Sequence, residues 1–284
     1  MTVYAYRILN VFARAGRLTG NPLCVFEDGR GIDDATMQAL ARQFNLSETT
    51  FILPSEKAAA RVRIFTPAYE MPFAGHPTLG TAHVVRALRG SGDALKLEMK
   101  AGIIPVNAQG DRWTFSANAP RARAVTQSFD ELATILGLDA DDIGDRPLWV
   151  NAGKEQLIVP VQSAAAVRRA KPAADAFTRL QSEDGQSMAY VFADSGEAVE
   201  ARFFFPSGPS IVEDPATGSA CANLGGWFAT MRPGDTIERT VSQGEAVRRP
   251  STLYLAVTAS VAGEGPRILV GGNVIELGGG SVSL

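Results

Sequence analysis

The feature that most constrains the fold of this chain is a sequence pattern that occurs twice, about half a chain length apart. Arg-x-Phe-x-Pro stands at 63–67 and again at 202–206, and [His/Asp]-Pro-x-x-Gly-[Ser/Thr]-Ala stands at 76–82 and at 214–220. The two offsets, 139 and 138 positions, agree closely. Agreement across two separated motifs predicts that one structural unit is present in two copies.

The length of the chain, 284 residues, is also what two average domains require. A turn-rich stretch, Asn118-Ala-Pro-Arg-Ala-Arg123, separates the two copies. We therefore expect an N-terminal domain over residues 1–122 and a C-terminal domain over 123–271. A last strand over about 272–284 is a candidate to return to the N-terminal domain.

Each copy has the pattern of a strand, a loop and the start of a helix. Residues 61–65 alternate between polar and apolar, and residues 201–205 are strand-forming types. A polar residue then precedes Pro, the residue favoured at the first helical position. Asp214 is therefore expected to be a helix N-cap, with His76 in the equivalent place.

These two helix starts suggest a way to bind an anion. Unpaired N–H groups and the helix dipole attract carboxylates, and small residues such as Gly80 and Gly218 leave those groups approachable. Two such starts that face each other across a cleft would hold one small anionic substrate. The alternative is that both are ordinary capped helix starts.

Charge balance and the scarcity of His and Cys exclude several classes of protein. The 27 Lys and Arg are matched by 30 Asp and Glu and form no long basic run, so nucleic acid is not an expected partner. Neither a membrane-spanning apolar run nor a signal-peptide pattern is found. Two His and two isolated Cys cannot form a His-rich or Cys-x-x-Cys metal site. We expect a cytoplasmic protein in which Cys24 and Cys221 are reduced core thiols.

One carboxyl stands at the junction of two predicted elements. Residues 33–44 have the apolar spacing of an amphipathic helix, and the Thr/Phe/Ile run that follows is typical of a strand. Glu48 lies between them, either as a solvated loop acid or, in a closed apolar site, as a general acid/base. His76 is expected to be neutral because the positive end of a helix opposes a second positive charge. His83 is expected to be a packing residue.

Several longer segments occur in a fixed order from about residue 12 to about residue 276. They are Gly20-Asn21-Pro22, Asn45-Leu-Ser47-Glu48-Thr-Thr-Phe51, Phe65-Thr-Pro67, Phe73-Ala-Gly75-His76-Pro77, Glu213-Asp214-Pro215-Ala-Thr-Gly218-Ser219-Ala220, Gln243-Gly244, Arg249-Pro250-Ser251 and Val270-Gly271-Gly272. Together they resemble the signature segments of the phenazine biosynthesis PhzF-like family. The resemblance implies an α+β fold of two pseudo-symmetric, diaminopimelate-epimerase-like domains. Each would be a curled mixed sheet around a central helix, with the active site in the cleft between them.

The resemblance also implies an isomerase, with roles for particular residues. The namesake enzyme moves a proton along the conjugated system of trans-2,3-dihydro-3-hydroxyanthranilate, without a metal or an organic cofactor. By this resemblance Glu48 is the general acid/base, and His76 and Asp214 complete the catalytic set. A small carboxylate substrate would be held by His76, Asp214, Gly75, Gly218, Ser219 and Ala220. A homodimer is implied as well.

One departure separates this chain from the epimerase and racemase relatives of the family. Those enzymes use a thiol from each domain, ahead of each central helix, and the corresponding loops here contain no Cys. Two-thiol racemisation is therefore disfavoured. Two alternatives stay open, an amino-acid epimerase with Glu48 and Asp214 as its bases and a binding protein without catalytic activity. The motifs do not identify the physiological substrate.

Overall fold

The computed structural model describes residues 1–259 and 265–284. The chain divides into two compact units: unit 1 comprises Met1–Ser116 with Gly271–Leu284, and unit 2 comprises Ala117–Val270. Strands dominate both units, and each contains parallel as well as antiparallel pairs. The mixed, sheet-rich α+β organisation expected from the sequence is thereby confirmed. Among the helices of the described residues, none combines the length and the apolar character needed to cross a membrane.

The elements of the described residues follow one another along the chain as strands β1–β17 and helices α1–α6, with one short 3₁₀ helix at Ala140–Asp142. They are β1 Val3–Val11, β2 Asn21–Phe26, α1 Asp34–Phe44, β3 Glu48–Leu53, β4 Ala60–Phe65, β5 Glu70–Met71, α2 Gly75–Arg89, β6 Ala94–Met99, β7 Gly102–Gln109, β8 Arg112–Ser116, β9 Arg121–Ala124, α3 Phe129–Leu136, β10 Leu148–Asn151, β11 Glu155–Pro160, α4 Ala164–Arg169, α5 Ala174–Phe177, β12 Ala189–Asp194, β13 Ala198–Ser207, β14 Ser210–Asp214, α6 Gly218–Met231, β15 Ile237–Gln243, β16 Ser251–Thr258 and β17 Arg267–Ser283.

The strand pairings of unit 1 return to their starting point. β1 pairs with β2, β2 runs parallel to β3, and the series continues through β4, β6, β7 and β8 to β17, which pairs with β1. α2 packs against strands from around this ring, and ten of its fifteen residues are buried. A helix covered in this way has no polar face.

Unit 2 repeats the order and the sense of these pairings. β10–β11, β12–β13 and β15–β16 are antiparallel, whereas β11–β12 and β13–β15 are parallel. In unit 1 the corresponding antiparallel pairs are β1–β2, β3–β4 and β6–β7, and the corresponding parallel pairs are β2–β3 and β4–β6. α6 takes the place of α2, with ten of its fourteen residues buried. The two copies of the Arg-x-Phe motif, on β4 and β13, therefore lie on topologically equivalent elements.

The repeated Arg-x-Phe motif braces the hairpin that leads to each central helix. Arg63 donates from Nε to Oε1 of Glu70 at 2.8 Å, and its guanidinium lies 5.0 Å from the centroid of the Phe65 ring. Arg202 and Glu213 repeat the pair in unit 2, with Nη2 and Oε2 2.6 Å apart. In each unit the Glu is on the returning strand, so the ion pair joins the two sides of the hairpin.

The positions of the helix starts differ from the sequence prediction. Asp214 is not an N-cap, because it is the last residue of β14, and α6 begins at Gly218 after a three-residue turn. α2 begins at Gly75 after a turn of the same length. His76 is therefore the second residue of its helix, and its structural counterpart is Ser219 rather than Asp214.

The length of the hairpin explains this difference. Four residues separate Phe65 from Glu70, its partner in the strand pairing, whereas eight separate Phe204 from its partner Glu213. The offset between the units therefore rises from 139 positions before the hairpin to 143 at the helix starts. His76-Pro77 and Asp214-Pro215 are therefore similar in local sequence only. The longer hairpin of unit 2 places them at different structural positions.

Two other expectations from the sequence are confirmed. The helix predicted over 33–44 is α1, and the Asp33 carboxylate caps it by accepting a hydrogen bond from the Thr36 N–H. Cys24 and Cys221 are buried, free thiols, and burial raises the pKa of both well above the ordinary value. Both thiols are therefore protonated, unreactive core groups at physiological pH.

Close packing around α2 leads to a prediction about stability. A Cβ atom at Gly80 would lie 2.5 Å from Leu23 Cδ2 and 2.9 Å from Val11 Cγ2. Gly80→Ala is expected to lower the free energy of unfolding by about 1–2 kcal/mol, since overpacking outweighs the helix propensity of Ala. Gly92→Ala is the control, because a Cβ there meets no atom within 4 Å. Urea denaturation measures both variants, and equal stabilities would contradict the prediction.

Candidate active site

Within unit 1 the fold brings two of the predicted site residues together. Glu48 is the first residue of β3 and His76 is the second residue of α2. Oε2 of Glu48 lies 3.1 Å from Nε2 of His76. Both atoms are shielded from solvent, although 14% of the Glu48 side chain remains exposed. The carboxyl group is therefore neither a solvated loop acid nor a fully enclosed one.

His76 is neutral at physiological pH. Burial lowers the pKa of its imidazole from 6.5 to about 3. The sequence predicted the neutral form from the helix dipole, whereas the structure gives burial as the main cause. The Pro22 carbonyl accepts a hydrogen bond from the ring. Because Nε2 faces Glu48, we assign this hydrogen to Nδ1, which leaves a lone pair on Nε2.

This tautomer leaves the nitrogen that faces the neighbouring carboxyl group without a hydrogen. Nε2 of the neutral His76 lies 3.1 Å from Oε2 of Glu48 and brings no positive charge to it. Together the two side chains form a place where one proton can be held away from water.

Strand register identifies the residue that takes the place of Glu48 in unit 2. Thr49 and Ala189 occupy the same place, since each pairs with the Phe of its Arg-x-Phe motif. The residue before Ala189 is Met188, which corresponds to Glu48. A thioether cannot exchange a proton, so the two units are alike in fold but differ in chemistry.

Both central helices begin with free donors in their first turn. Gly75 opens α2 and Gly218 opens α6, and the N–H groups of the first residues have no acceptor inside a helix. In the described chain, neither Ala74 nor Thr217, the residues before these helices, supplies a side-chain cap. The first turns, which include Ser219 in α6, are therefore suited to an external acceptor.

Asp214 lies ahead of α6 and is tied to the turn between β14 and that helix. Thr217 Oγ1 donates to Oδ2 of Asp214 at 2.5 Å. Gln243 Nε2 donates to the Asp214 carbonyl at 2.9 Å and to Thr217 Oγ1 at 3.0 Å. Gly244, at φ +84°, has no room for a side chain, because a Cβ would lie 2.5 Å from the Pro215 carbonyl oxygen. The Gln243-Gly244 segment therefore holds this turn in place.

The sequence did not identify two residues that are linked to Ser219 by hydrogen bonds. Gln156 Nε2 donates to Ser219 Oγ at 3.0 Å, and Asn223 Nδ2 donates to Gln156 Oε1 at 2.8 Å. Their exposed fractions are only 2% and 1%. The available signal was a polar residue next to the apolar run of Leu157–Val159 and an Asn among the small residues of α6.

Other candidate ligands do not assemble. Among the described residues, no group of three or more His, Cys, Asp and Glu side chains could hold a metal ion. His83, two turns beyond His76 in α2, is half-buried. Burial, reinforced by the positive charge of Arg86, lowers the pKa of His83.

The neutral state of His76 predicts a pH dependence of stability. Between its unfolded pKa of 6.5 and its folded pKa of about 3, the unfolded chain binds a proton that the folded chain does not. The free energy of unfolding should therefore fall as the pH drops below 6.5. From pH 7 to pH 5 the loss due to this residue is about 2 kcal/mol.

His76→Asn keeps a donor for the Pro22 carbonyl and should remove this part of the pH dependence. His83→Asn, which removes the other imidazole of the chain, should retain it. Urea titrations at pH 7, 6 and 5 measure the free energy of unfolding of the three proteins. An unchanged slope in His76→Asn would contradict the assignment.

Known proteins match this chain over nearly its whole length. The family model described as phenazine biosynthesis-like protein matches residues 9–279. The trans-2,3-dihydro-3-hydroxyanthranilate isomerase of Pseudomonas aeruginosa is 34% identical, over 94% of this chain and 93% of its own. A crystal structure of a phenazine biosynthesis protein of the PhzF family from Bacillus anthracis matches with a TM-score of 0.89 at 27% identity, over 100% of both chains.

A more distant structure shows how far the fold extends. A hydroxyproline epimerase from Agrobacterium vitis matches with a TM-score of 0.62 at 12% identity, over 99% of this chain and 93% of its own. At that identity the likeness concerns the fold alone. The family model and the relative from Pseudomonas aeruginosa go further, because they cover nearly the whole chain and the relative is 34% identical. The chain therefore belongs to the phenazine biosynthesis-like PhzF family and is an isomerase.

Proposed function

We propose that this isomerase moves a proton between two carbons of a small unsaturated carboxylate, with Glu48 as the general acid/base. The observation that carries the proposal is the 3.1 Å contact between Glu48 Oε2 and Nε2 of the neutral His76. The name of the relative from Pseudomonas aeruginosa supports trans-2,3-dihydro-3-hydroxyanthranilate as the type of substrate.

The proposed reaction uses one carboxyl group twice. Glu48, as a carboxylate, accepts a proton from one carbon of the substrate, and the electron pair of the broken C–H bond moves along the conjugated system. The resulting carboxylic acid then returns a proton to a second carbon, so nothing is oxidised or reduced. Between the two transfers the proton stays on Glu48, whose Oε2 is shielded from solvent and lies 3.1 Å from Nε2 of the neutral His76. The proposed steps use no metal or organic cofactor.

We further propose that the substrate carboxylate binds to the donors of the first helical turns. These are the N–H groups of Gly75, His76, Gly218, Ser219 and Ala220. The absence of side-chain caps on these described helix starts supports the proposal, because it leaves the donors for a ligand. The repeat in the sequence is the reason to expect that both helix starts act on one substrate.

Asp214 is proposed to orient a polar group of the substrate. Its Oδ2 accepts the Thr217 hydroxyl, and its backbone carbonyl accepts from Gln243, so the carboxylate is held in one place. An epimerase would need Asp214 as a second base on the opposite face of a stereocentre. Met188 in the place of a second Glu48 supports a shift along one face instead.

Two coarser features complete the proposal. The free thiols Cys24 and Cys221 are compatible with a reducing compartment, in keeping with the expected cytoplasmic location. A homodimer is proposed from the family resemblance alone. Sedimentation of the purified protein at several concentrations measures its mass directly.

Replacement of Glu48 tests the proposed chemistry. Glu48→Gln keeps the size of the side chain but cannot carry the proton, so turnover of trans-2,3-dihydro-3-hydroxyanthranilate should fall by about 10²–10⁴-fold. Binding should stay within a few-fold of that of the unchanged protein. Glu56→Gln makes the same change at an exposed residue and should leave turnover unaltered. Product formation and deuterium uptake from D₂O are the measurements.

Three outcomes would redirect the assignment. Normal turnover by Glu48→Gln would remove Glu48 from the mechanism. Solvent deuterium at the stereocentre of an otherwise unchanged amino acid would favour the epimerase. Binding of small carboxylates without turnover or exchange in the unchanged protein would favour a binding protein.

A further inference from the structure

A chain of hydrogen-bonded side chains in unit 2 leads from the backbone to Ser219. It consists of Asn223 and Ser219 in α6 and Gln156 in β11. Two buried amides in a core are costly unless their donors and acceptors are matched. Here they are matched, and this matching fixes which group donates and which accepts in each hydrogen bond between these side chains.

The orientation of the Asn223 amide is fixed by its hydrogen bonds to the backbone. The Ala152 N–H lies 2.7 Å from Asn223 Oδ1, and the Lys154 carbonyl lies 2.8 Å from Asn223 Nδ2. A backbone N–H can only donate and a carbonyl can only accept, so the Asn223 amide cannot be turned over without losing both bonds. The second hydrogen on Asn223 Nδ2 is then directed at Gln156 Oε1, 2.8 Å away.

The orientation of the Gln156 amide in turn determines the role of the Ser219 hydroxyl. Since Gln156 Oε1 accepts from Asn223, Gln156 Nε2 faces Ser219 Oγ and donates to it at 3.0 Å. The Ser219 hydroxyl is thus used as an acceptor on this side, and its own hydrogen must be directed elsewhere. Among the described residues, no group accepts that hydrogen. It is available to a ligand at the start of α6.

Unit 1 shows that the fold does not require these hydrogen-bonded side chains. In strand register Leu23 is opposite Glu48, as Gln156 is opposite Met188, and Gly80 and Asn223 are each the sixth residue of their helix. Leu23 and Gly80 also adjoin each other, because a Cβ at Gly80 would lie 2.5 Å from Leu23 Cδ2. An apolar pair therefore occupies in unit 1 the place that two amides occupy in unit 2.

We infer that Gln156 and Asn223 are positioning residues that hold the Ser219 hydroxyl as a hydrogen-bond donor toward the substrate carboxylate. The inference rests on the proposed function, from which the carboxylate at the start of α6 is taken. A carboxylate accepts hydrogen bonds and donates none, so it matches a site that offers the Ser219 O–H beside the first N–H groups of the helix. A protonated amine would require the opposite polarity.

A cycle of variants separates positioning from simple packing. Gln156→Met, Ser219→Ala and the double variant are compared in their binding of 3-hydroxyanthranilate and of 2-aminophenol, which lacks the carboxylate, by calorimetry. Loss of the hydrogen bond should raise the Kd for 3-hydroxyanthranilate about tenfold in each single variant and leave that for 2-aminophenol unchanged. In the Ser219→Ala background, Gln156→Met should add less than a twofold change.

Several results would overturn the inference. They are an effect of Gln156→Met that persists in the Ser219→Ala background, an equal loss for 2-aminophenol, or equal affinity of the unchanged protein for both compounds. A neutron structure of the deuterium-exchanged protein needs no variant. A deuteron on Ser219 Oγ directed away from Gln156 supports the inference, and one directed at Gln156 overturns it.

The same measurements distinguish this inference from the proposed reaction. Glu48→Gln should change the Kd for 3-hydroxyanthranilate by no more than a few-fold, whereas Gln156→Met should raise it about tenfold. In steady-state kinetics, Gln156→Met should raise KM with little change in kcat if the bond is equally strong in the ground and transition states. Normal turnover in Glu48→Gln would refute the reaction but leave the positioning of Ser219 to be decided by the binding cycle.

Discussion

Enclosing a helix by strands is the constraint on which the structure of each unit depends. A helix in that position cannot have a polar side, and its residues must be small wherever a strand crosses it closely. Gly80 in α2 and Gly225 in α6 meet this need, since a Cβ at Gly225 would lie 2.6 Å from Ile268 Cγ2. The unpaired N–H groups of such a helix are concentrated in its first turn. Burial of the helix thus creates the binding groups on which the proposed function relies.

The two units satisfy this constraint in the same way but differ in chemistry at the helix start. In each unit the second helical residue is oriented by the neighbouring strand, His76 by the Pro22 carbonyl and Ser219 by Gln156. In unit 1 that residue has the Glu48 carboxyl beside it, whereas Met188 takes the corresponding place in unit 2. A fold that is repeated therefore carries a carboxyl group beside an imidazole in one unit and a hydroxyl that accepts from a buried amide in the other. Retention of the fold and divergence of the chemistry are compatible because the braced hairpin and the small helix residues leave these positions free to vary.

The parts of the structure that could be predicted are those that depend on residue type alone. The Arg-x-Phe motif and the small-residue helix starts identified the repeat, because an ion-paired hairpin and an enclosed helix each need those residues. Glu48 could be singled out as a candidate, but its contact with His76 depends on strand register. The helix starts were misplaced because the length of the second hairpin has no local signal. The hydrogen bonds that link Asn223 through Gln156 to Ser219 could not be predicted, since they join residues of two elements through buried amides.

The path of β17 has a consequence for how the chain folds during synthesis. Unit 2 is one continuous stretch, whereas the ring of unit 1 is completed only by residues 271–284. Until those residues leave the ribosome, β1 and β8 have open edges, although most of unit 1 is made first. Open edges can pair with other chains. Domains usually fold from the N-terminus onward, but here the later unit can complete its core before the earlier one.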